Sequence, residues 1–215
     1  MPAVASPIAA DQALLARNLA ALAASSPLAA EAILAADPTA GVEIVPAQEP
    51  GEHSGRLDGV WLASPRAPGA EARRLAEQAD PTRIGAVVVL GFGIGRHVRA
   101  IVERCRGEAL VVVYEPDAAL LRAVFERVDH SSWIAGSGLV ILTDPGDDAA
   151  TAASLRGSEG MLALGVTVIE HPPSRARLGE TAGRFVETFG RVLAATRTTV
   201  VTTLVQSEAT CRNFL

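Results

Sequence analysis

The stretch Val87–Val98, VVVLGFGIGRHV, sets an uninterrupted apolar run against three alternating glycines and then a segment compatible with a helix. Such a run reads as a strand buried on both faces, and glycines directly after it let the backbone turn sharply or approach something closely. The same grammar recurs along the chain: AVVVLGF (86–92), ALVVVYE (109–115), GLVILTD (138–144) and LGVTVIE (164–170) are four such runs. Between them the spacing predicts helices starting near Gly95, Asp117 and Asp147, and a longer one from about Ser174 with Leu178, Phe185, Phe189 and Val192 on one face. Strands alternating with helices predict an α/β fold, an open, doubly wound, mostly parallel sheet.

Working outward, the chain opens with two short helical patterns. Ser6-Pro7 and Ser26-Pro27 each pair a capping hydroxyl with proline at the first helical position. VEIVP (42–46) and LDGVWLAS (57–64), separated by the polar AQEPGEHSGR, predict a β-hairpin. PRAPGAEA leads into a helix holding Arg73, Arg74 and Leu75 that stops before Asp80-Pro81. The expected organisation is therefore a helical-pair and hairpin subdomain over 1–80, an α/β domain over 81–197, and a C-terminal helix over 198–215. In that last helix Val201, Leu204, Val205 and Phe214-Leu215 form an apolar stripe, with Glu208 and Arg212 as an ion pair opposite. An uncovered stripe of this kind predicts a homodimer through the C-terminal segment.

Composition removes several classes of function. With 215 residues, 49% hydrophobic and 20% charged, the chain can bury a substantial core, so disorder is not expected. A net charge of -5 gives no broad basic surface, and neither nucleic acid nor an anionic membrane is implied as a partner. All 19 basic residues are arginine, which excludes mechanisms that need a phosphate-binding or Schiff-base lysine. Cys105 and Cys211 stand far apart, with no second ligand at metal spacing, so neither a disulfide framework nor a zinc site is expected. The N-terminus lacks a secretory pattern, and the expectation is a cytoplasmic protein.

Chemistry concentrates at the glycine loop. Gly91, Gly93 and Gly95 make G-x-G-x-G, whereas the dinucleotide pattern G-x-G-x-x-G would need glycine where Arg96 stands. The alternating form is typical of methyltransferase-like Rossmann domains, in which the next strand ends in an acid that binds ribose hydroxyls. Here that acid is Glu115, and Asp144 ends the third strand on the same sheet edge. Gly91, Gly93, Gly95, Glu115 and Asp144 are thus the candidate ligand-binding residues, with S-adenosylmethionine as the cofactor of this reading. Close helix packing alone is the stronger explanation of the glycines, and Glu115 or Asp117 would then cap the next helix. Arg96 and Arg99 oppose the helix dipole and are better tolerated beside an anion; solvent exposure explains them as well.

The remaining candidates carry less. His53, His97, His130 and His171 are isolated and expected on helix surfaces and in loops. DPGDD (144–148) has the wrong spacing for an Asp-x-Asp metal motif, and Asp147 reads as a helix cap, so no metal is expected. Ser154, Ser158 and Ser207 lack a nucleophile-elbow context, and Trp61 and Trp133 read as packing residues. No catalytic residue is assigned.

Taken in order, NLAALAASSPLAAEAILAAD, WLASPRAPGAEARRLAE, VVVLGFGIGRHVRAIVE, VVVYEPDAALLRAVFERVD, HPPS and TLVQSEATCRNFL resemble the N-terminal part of the motility accessory factor (Maf) family. That family shares a central domain with archaeal MptE-like pterin diphosphokinases. Arg96 and Ser64-Pro65-Arg66 depart from its pattern. The resemblance implies a Rossmann-like domain of a bacterial flagellin glycosyltransferase, which transfers a nonulosonic acid from its CMP donor to serine or threonine of flagellin. It implies flagellin as partner and places the CMP-sugar site in a central domain that this sequence does not include. This chain is then expected to be a recognition module of a longer protein, holding no cofactor and inactive alone.

Overall fold

The computed structural model describes residues 7–39 and 41–213, with side-chain surroundings for 11–39 and 41–202. Four strands, β4 (Ala86–Leu90), β5 (Leu110–Tyr114), β6 (Leu139–Leu142) and β7 (Val166–Glu170), form an all-parallel sheet in the order β6-β5-β4-β7. Counted within this sheet the order is 3-2-1-4, so chain direction across the sheet reverses between β4 and β7, where Leu90 pairs with Glu170. This is the α/β, Rossmann-like arrangement that the four apolar runs predicted. The runs are unbroken because both faces are covered. Val87, Val89, Val111, Val113, Leu139 and Ile141 face one core, and Ala86, Val88, Leu90, Leu110, Val112 and Tyr114 face the other.

The first face is covered by α1 (Pro7–Ala23), α2 (Pro27–Ala35), α4 (Arg96–Cys105) and α5 (Ala118–Phe125), which contribute Leu15, Leu22, Ile33, Ile101 and Leu121 to a single cluster. The N-terminal helices therefore share their core with the sheet. Two polar groups fix them there. Asn18, fully buried in α1, donates to the Phe125 and Val128 carbonyls and accepts from the His130 N–H, so no polar atom of its amide is stranded. Ser26 makes no side-chain cap on α2, contrary to expectation. Its hydroxyl instead accepts from Ile141 N–H at 2.9 Å, satisfying a donor on the outer edge of the terminal strand β6. The corresponding capping role of Ser6 lies outside the described residues.

The hairpin expectation needs a correction. β1 (Val42–Pro46) pairs antiparallel with β2 (His53–Leu57), and β3 (Val60–Trp61) follows, so part of the segment taken as a polar loop is a strand. Polarity there has a packing reason. Ser54 is fully buried and donates to the Ala63 carbonyl, while Gly55 lies under Ile94, where an added Cβ would sit 2.6 Å from Ile94 Cγ2. Asp58 and Gly59, both at positive φ, make the two-residue turn between β2 and β3. Downstream come α3 (Pro68–Ala76) and, between β5 and β6, the one-turn α6 (Ser131–Ile134).

The second face is covered by α7 (Asp148–Ser154), α8 (Glu159–Leu164) and α9 (Pro172–Asn213). From α9, Leu178, Phe185, Phe189 and Val192 enter the core, and Phe185 stacks on Tyr114 with ring centroids 4.2 Å apart. A kink at Gly179 (φ 48°, ψ -131°) divides α9 into a short first segment and a long rod. The expected helices near Gly95, Asp117 and Asp147 are all present, and Asp117 and Asp147 cap theirs by accepting from Leu120 and Ala150 N–H. Residues 198–213 continue α9, and Val201 is exposed; Leu204, Val205, the Glu208–Arg212 pair and Phe214-Leu215 lie outside the residues whose side chains are described. Among the described residues no helix is long and apolar enough to cross a membrane.

Candidate functional site

The glycine loop leaves β4 at the position where the sheet reverses direction, the place where open α/β sheets gather ligands. Gly91, Gly93 and Gly95 hold φ of 98°, 53° and 82°, values that an L side chain rarely adopts. What lies against them is the protein itself. An added Cβ would stand 2.3 Å from Ser174 Cβ at Gly91, 2.7 Å from His171 Cε1 at Gly93, and 2.8 Å from His130 Cε1 at Gly95. The glycines allow residues 171–174 and 130 to press directly onto the loop, which is the close-packing geometry.

Glu115 stands at the end of β5 and is fully buried. Arg177 of α9 clamps it with two parallel bonds, Nη1 to Oε1 at 2.7 Å and Nη2 to Oε2 at 2.5 Å. Oε2 also accepts from Phe92 N–H inside the glycine loop, and Oε1 from Asp117 N–H at the start of α5. Each oxygen therefore accepts two bonds from the chain. One carboxylate ties together the loop, the β5–α5 junction and α9. Burial alone would lower the Arg177 pKa, but Glu115 and Asp117 outweigh it and raise it, keeping the clamp charged.

Beside the clamp lie two histidines that the sequence placed at the surface. His97 and His171 are buried and stacked, centroids 4.0 Å apart and planes 9° from parallel. His97 Nε2 donates to the Gly91 carbonyl, and His171 Nδ1 bonds Ser174 Oγ at 2.7 Å. Burial lowers the His97 pKa to about 4 against the smaller raising effect of the Gly91 bond. Burial, then the neighbouring His97 and Arg177, lowers His171 to about 2. Both rings are neutral at physiological pH. Ser174 shows a serine–histidine bond, yet it is fully buried, so its hydroxyl meets no substrate and acts as a structural bond.

Asp144 does not join this group. It is exposed at the end of β6, and its Oδ1 accepts from the Gly146 N–H at 2.7 Å in a local turn. Asp147 caps α7 and Asp148 pairs with Arg191, so the aspartates of DPGDD serve three separate local bonds. No group of three or more His, Cys, Asp or Glu is placed to hold a metal among the described residues. Of the tryptophans, Trp133 is buried and Trp61 is partly exposed under the Arg56 guanidinium.

The structure thus brings together Gly91, Gly93, Gly95 and Glu115, and adds His97, His171, Ser174 and Arg177. Sequence reasoning missed Arg177, whose partner lies 62 positions away. The available signal was HPPSRAR, a histidine, a serine and two arginines opening a helix right after the strand that borders β4. The chain matches no family model, no curated protein and no solved structure.

Proposed function

We propose that this chain is a protein-recognition module acting in flagellin glycosylation, with the sugar transfer carried out elsewhere in the full-length protein. The ordered resemblance to the motility accessory factor family, from Asn18 through the HPPS segment to TLVQSEATCRNFL, is what carries this reading. The packing of the glycine loop argues against a nucleoside cofactor bound there. A nucleoside cofactor in the methyltransferase manner needs space beneath the loop and a free acid after β5. Here His171 and Ser174 occupy that space, and Glu115 spends both oxygens on Arg177 and backbone N–H groups.

The competing reading is a methyltransferase-like enzyme domain that binds S-adenosylmethionine through Gly91, Gly93, Gly95 and Glu115. One pair of measurements separates the two. Immobilised flagellin should retain the purified chain, and calorimetric titration with S-adenosylmethionine or a CMP-sugar should give no heat. Saturable S-adenosylmethionine binding that Glu115→Gln removes, without retention on flagellin, would replace the recognition reading by the enzymatic one.

A further inference from the structure

On the outer side of the glycine loop, α4 begins at Gly95 beside a cavity of about 290 Å³. Gly95 supplies no capping side chain, and the first turn of α4 carries no acidic residue, so the positive end of the helix dipole is left uncompensated by its own sequence. Arg96, Arg99 and Arg127 line the same cavity. Arg96 and Arg99 each hold one carboxylate, of Glu52 and Glu103, and Arg127 donates to the Ala123 carbonyl, so the remaining guanidinium N–H groups and the open helix end together favour an anion.

His130 is an independent pointer to a ligand. Its ring forms the cavity wall, is 3% exposed, and meets Gly95 through Cε1, the carbon between its two nitrogens. Phe92, Phe125 and Trp133 hold it on its other sides, each with centroids 5.4 Å away except for the Phe92–Phe125 pair, which packs behind it at 5.8 Å. Nε2 is buried without a hydrogen-bond partner among the described residues. A polar atom in that state is costly unless a ligand completes it. Asn18 fixes the backbone N–H of His130, so the ring's place at the wall is determined by the fold.

We propose that this cavity is a binding site for the phosphate group of a small organic phosphate, held by the N–H groups opening α4, by Arg99, Arg127 and Arg96, and by His130 Nε2. The opposing charges are accounted for. Arg96 pairs with Glu52 and Arg99 with Glu103, while Asp129 at the rim is engaged by the Ser131 N–H and hydroxyl and by Arg17. Three cations and one carboxylate line the cavity itself, and His53 stands at its mouth. The volume exceeds a bare phosphate and approaches the lower range of small-molecule pockets, which suits a sugar phosphate. The proposal does not rest on the flagellin reading.

The test is calorimetric titration of the purified chain with inorganic phosphate, ribose 5-phosphate and adenosine 5′-monophosphate, repeated at raised salt. One site is expected, weakened by salt, with ribose 5-phosphate bound at least about tenfold more tightly than inorganic phosphate. Arg99→Gln changes a half-exposed side chain and should weaken binding about tenfold or more with an unchanged circular dichroism spectrum. His130→Phe keeps the aromatic packing and should weaken binding similarly; if it misfolds, Arg127→Gln takes its place. Absence of saturable binding by all three probes, or binding that Arg99→Gln and Arg127→Gln both leave unchanged, would overturn the site. Equal affinity for inorganic phosphate and ribose 5-phosphate would overturn the assignment to an organic phosphate.

Discussion

Lowering the pH from 7 to 5 should destabilise this fold severely, because three histidines are buried in neutral form. Burial is the first cause in each case, and it brings His97 to about 4, His130 to about 3 and His171 to about 2, from an ordinary 6.5. A depressed native pKa means that the unfolded chain binds protons the native chain refuses, so stability rises with pH across this window. The contribution is complete above about 6.5 and is lost as pH falls towards the native values. At pH 5 each unfolded histidine is almost fully protonated and each native one almost fully neutral, which amounts to about 2 kcal/mol per ring and about 6 kcal/mol in all. Since every native value lies below 5, the figure depends on protonation of the unfolded chain and hardly on how His97 and His171 influence each other.

That loss is comparable to the whole stability of an ordinary domain. Urea unfolding followed by circular dichroism at pH 7, 6 and 5 reads it directly. With a slope of about 2 to 3 kcal/mol per molar urea, the midpoint should fall by about 2 to 3 M between the first and last condition. The lowered carboxylates Asp80, Asp129, Asp148 and Glu159 add a separate loss at still lower pH, as they are protonated below their reduced native values. A midpoint that stays constant between pH 7 and 5 would refute the claim that these rings are buried neutral beside the glycine loop.

Three single substitutions and one double variant probe the same architecture. Gly91→Ala forces a side chain to φ 98° and drives its Cβ against Ser174, so a loss of about 3 kcal/mol is expected by chemical denaturation. Arg177→Ala leaves Glu115 buried without its clamp and should cost about 3 kcal/mol or more, whereas Arg177→Met combined with Glu115→Gln should recover a measurable part of that loss. Asp147→Ala removes the side-chain cap of α7 and should cost about 1 kcal/mol, detectable as a lowered Tm.

The α/β sheet was legible because its evidence is local: four apolar runs, each ended by a glycine, proline or acid, need both faces covered wherever they sit. Asp117 and Asp147 were legible as caps for the same reason, as each bonds an N–H three residues on. Ser26 looked identical in sequence and does something else, because an unsatisfied edge N–H of β6, 115 positions away, competes for its hydroxyl. His53–Arg56 read as loop since its buried positions are serine and glycine, residues chosen by contact with Ala63 and Ile94 rather than by strand propensity. At the candidate site, the pairing of glycine loop and acid was visible. What the sequence did not carry was the fate of Glu115, because that depends on where α9 returns Arg177. The histidines show the same limit: one isolated His looks alike on a surface and in a core until its neighbours are known.

The claim that this chain recognises flagellin is tested most directly by biolayer interferometry, with flagellin monomer immobilised and the purified, folded chain titrated over it. Saturable binding is expected with a Kd on the order of micromolar, unaffected by added S-adenosylmethionine. No saturable binding by the folded chain would contradict it.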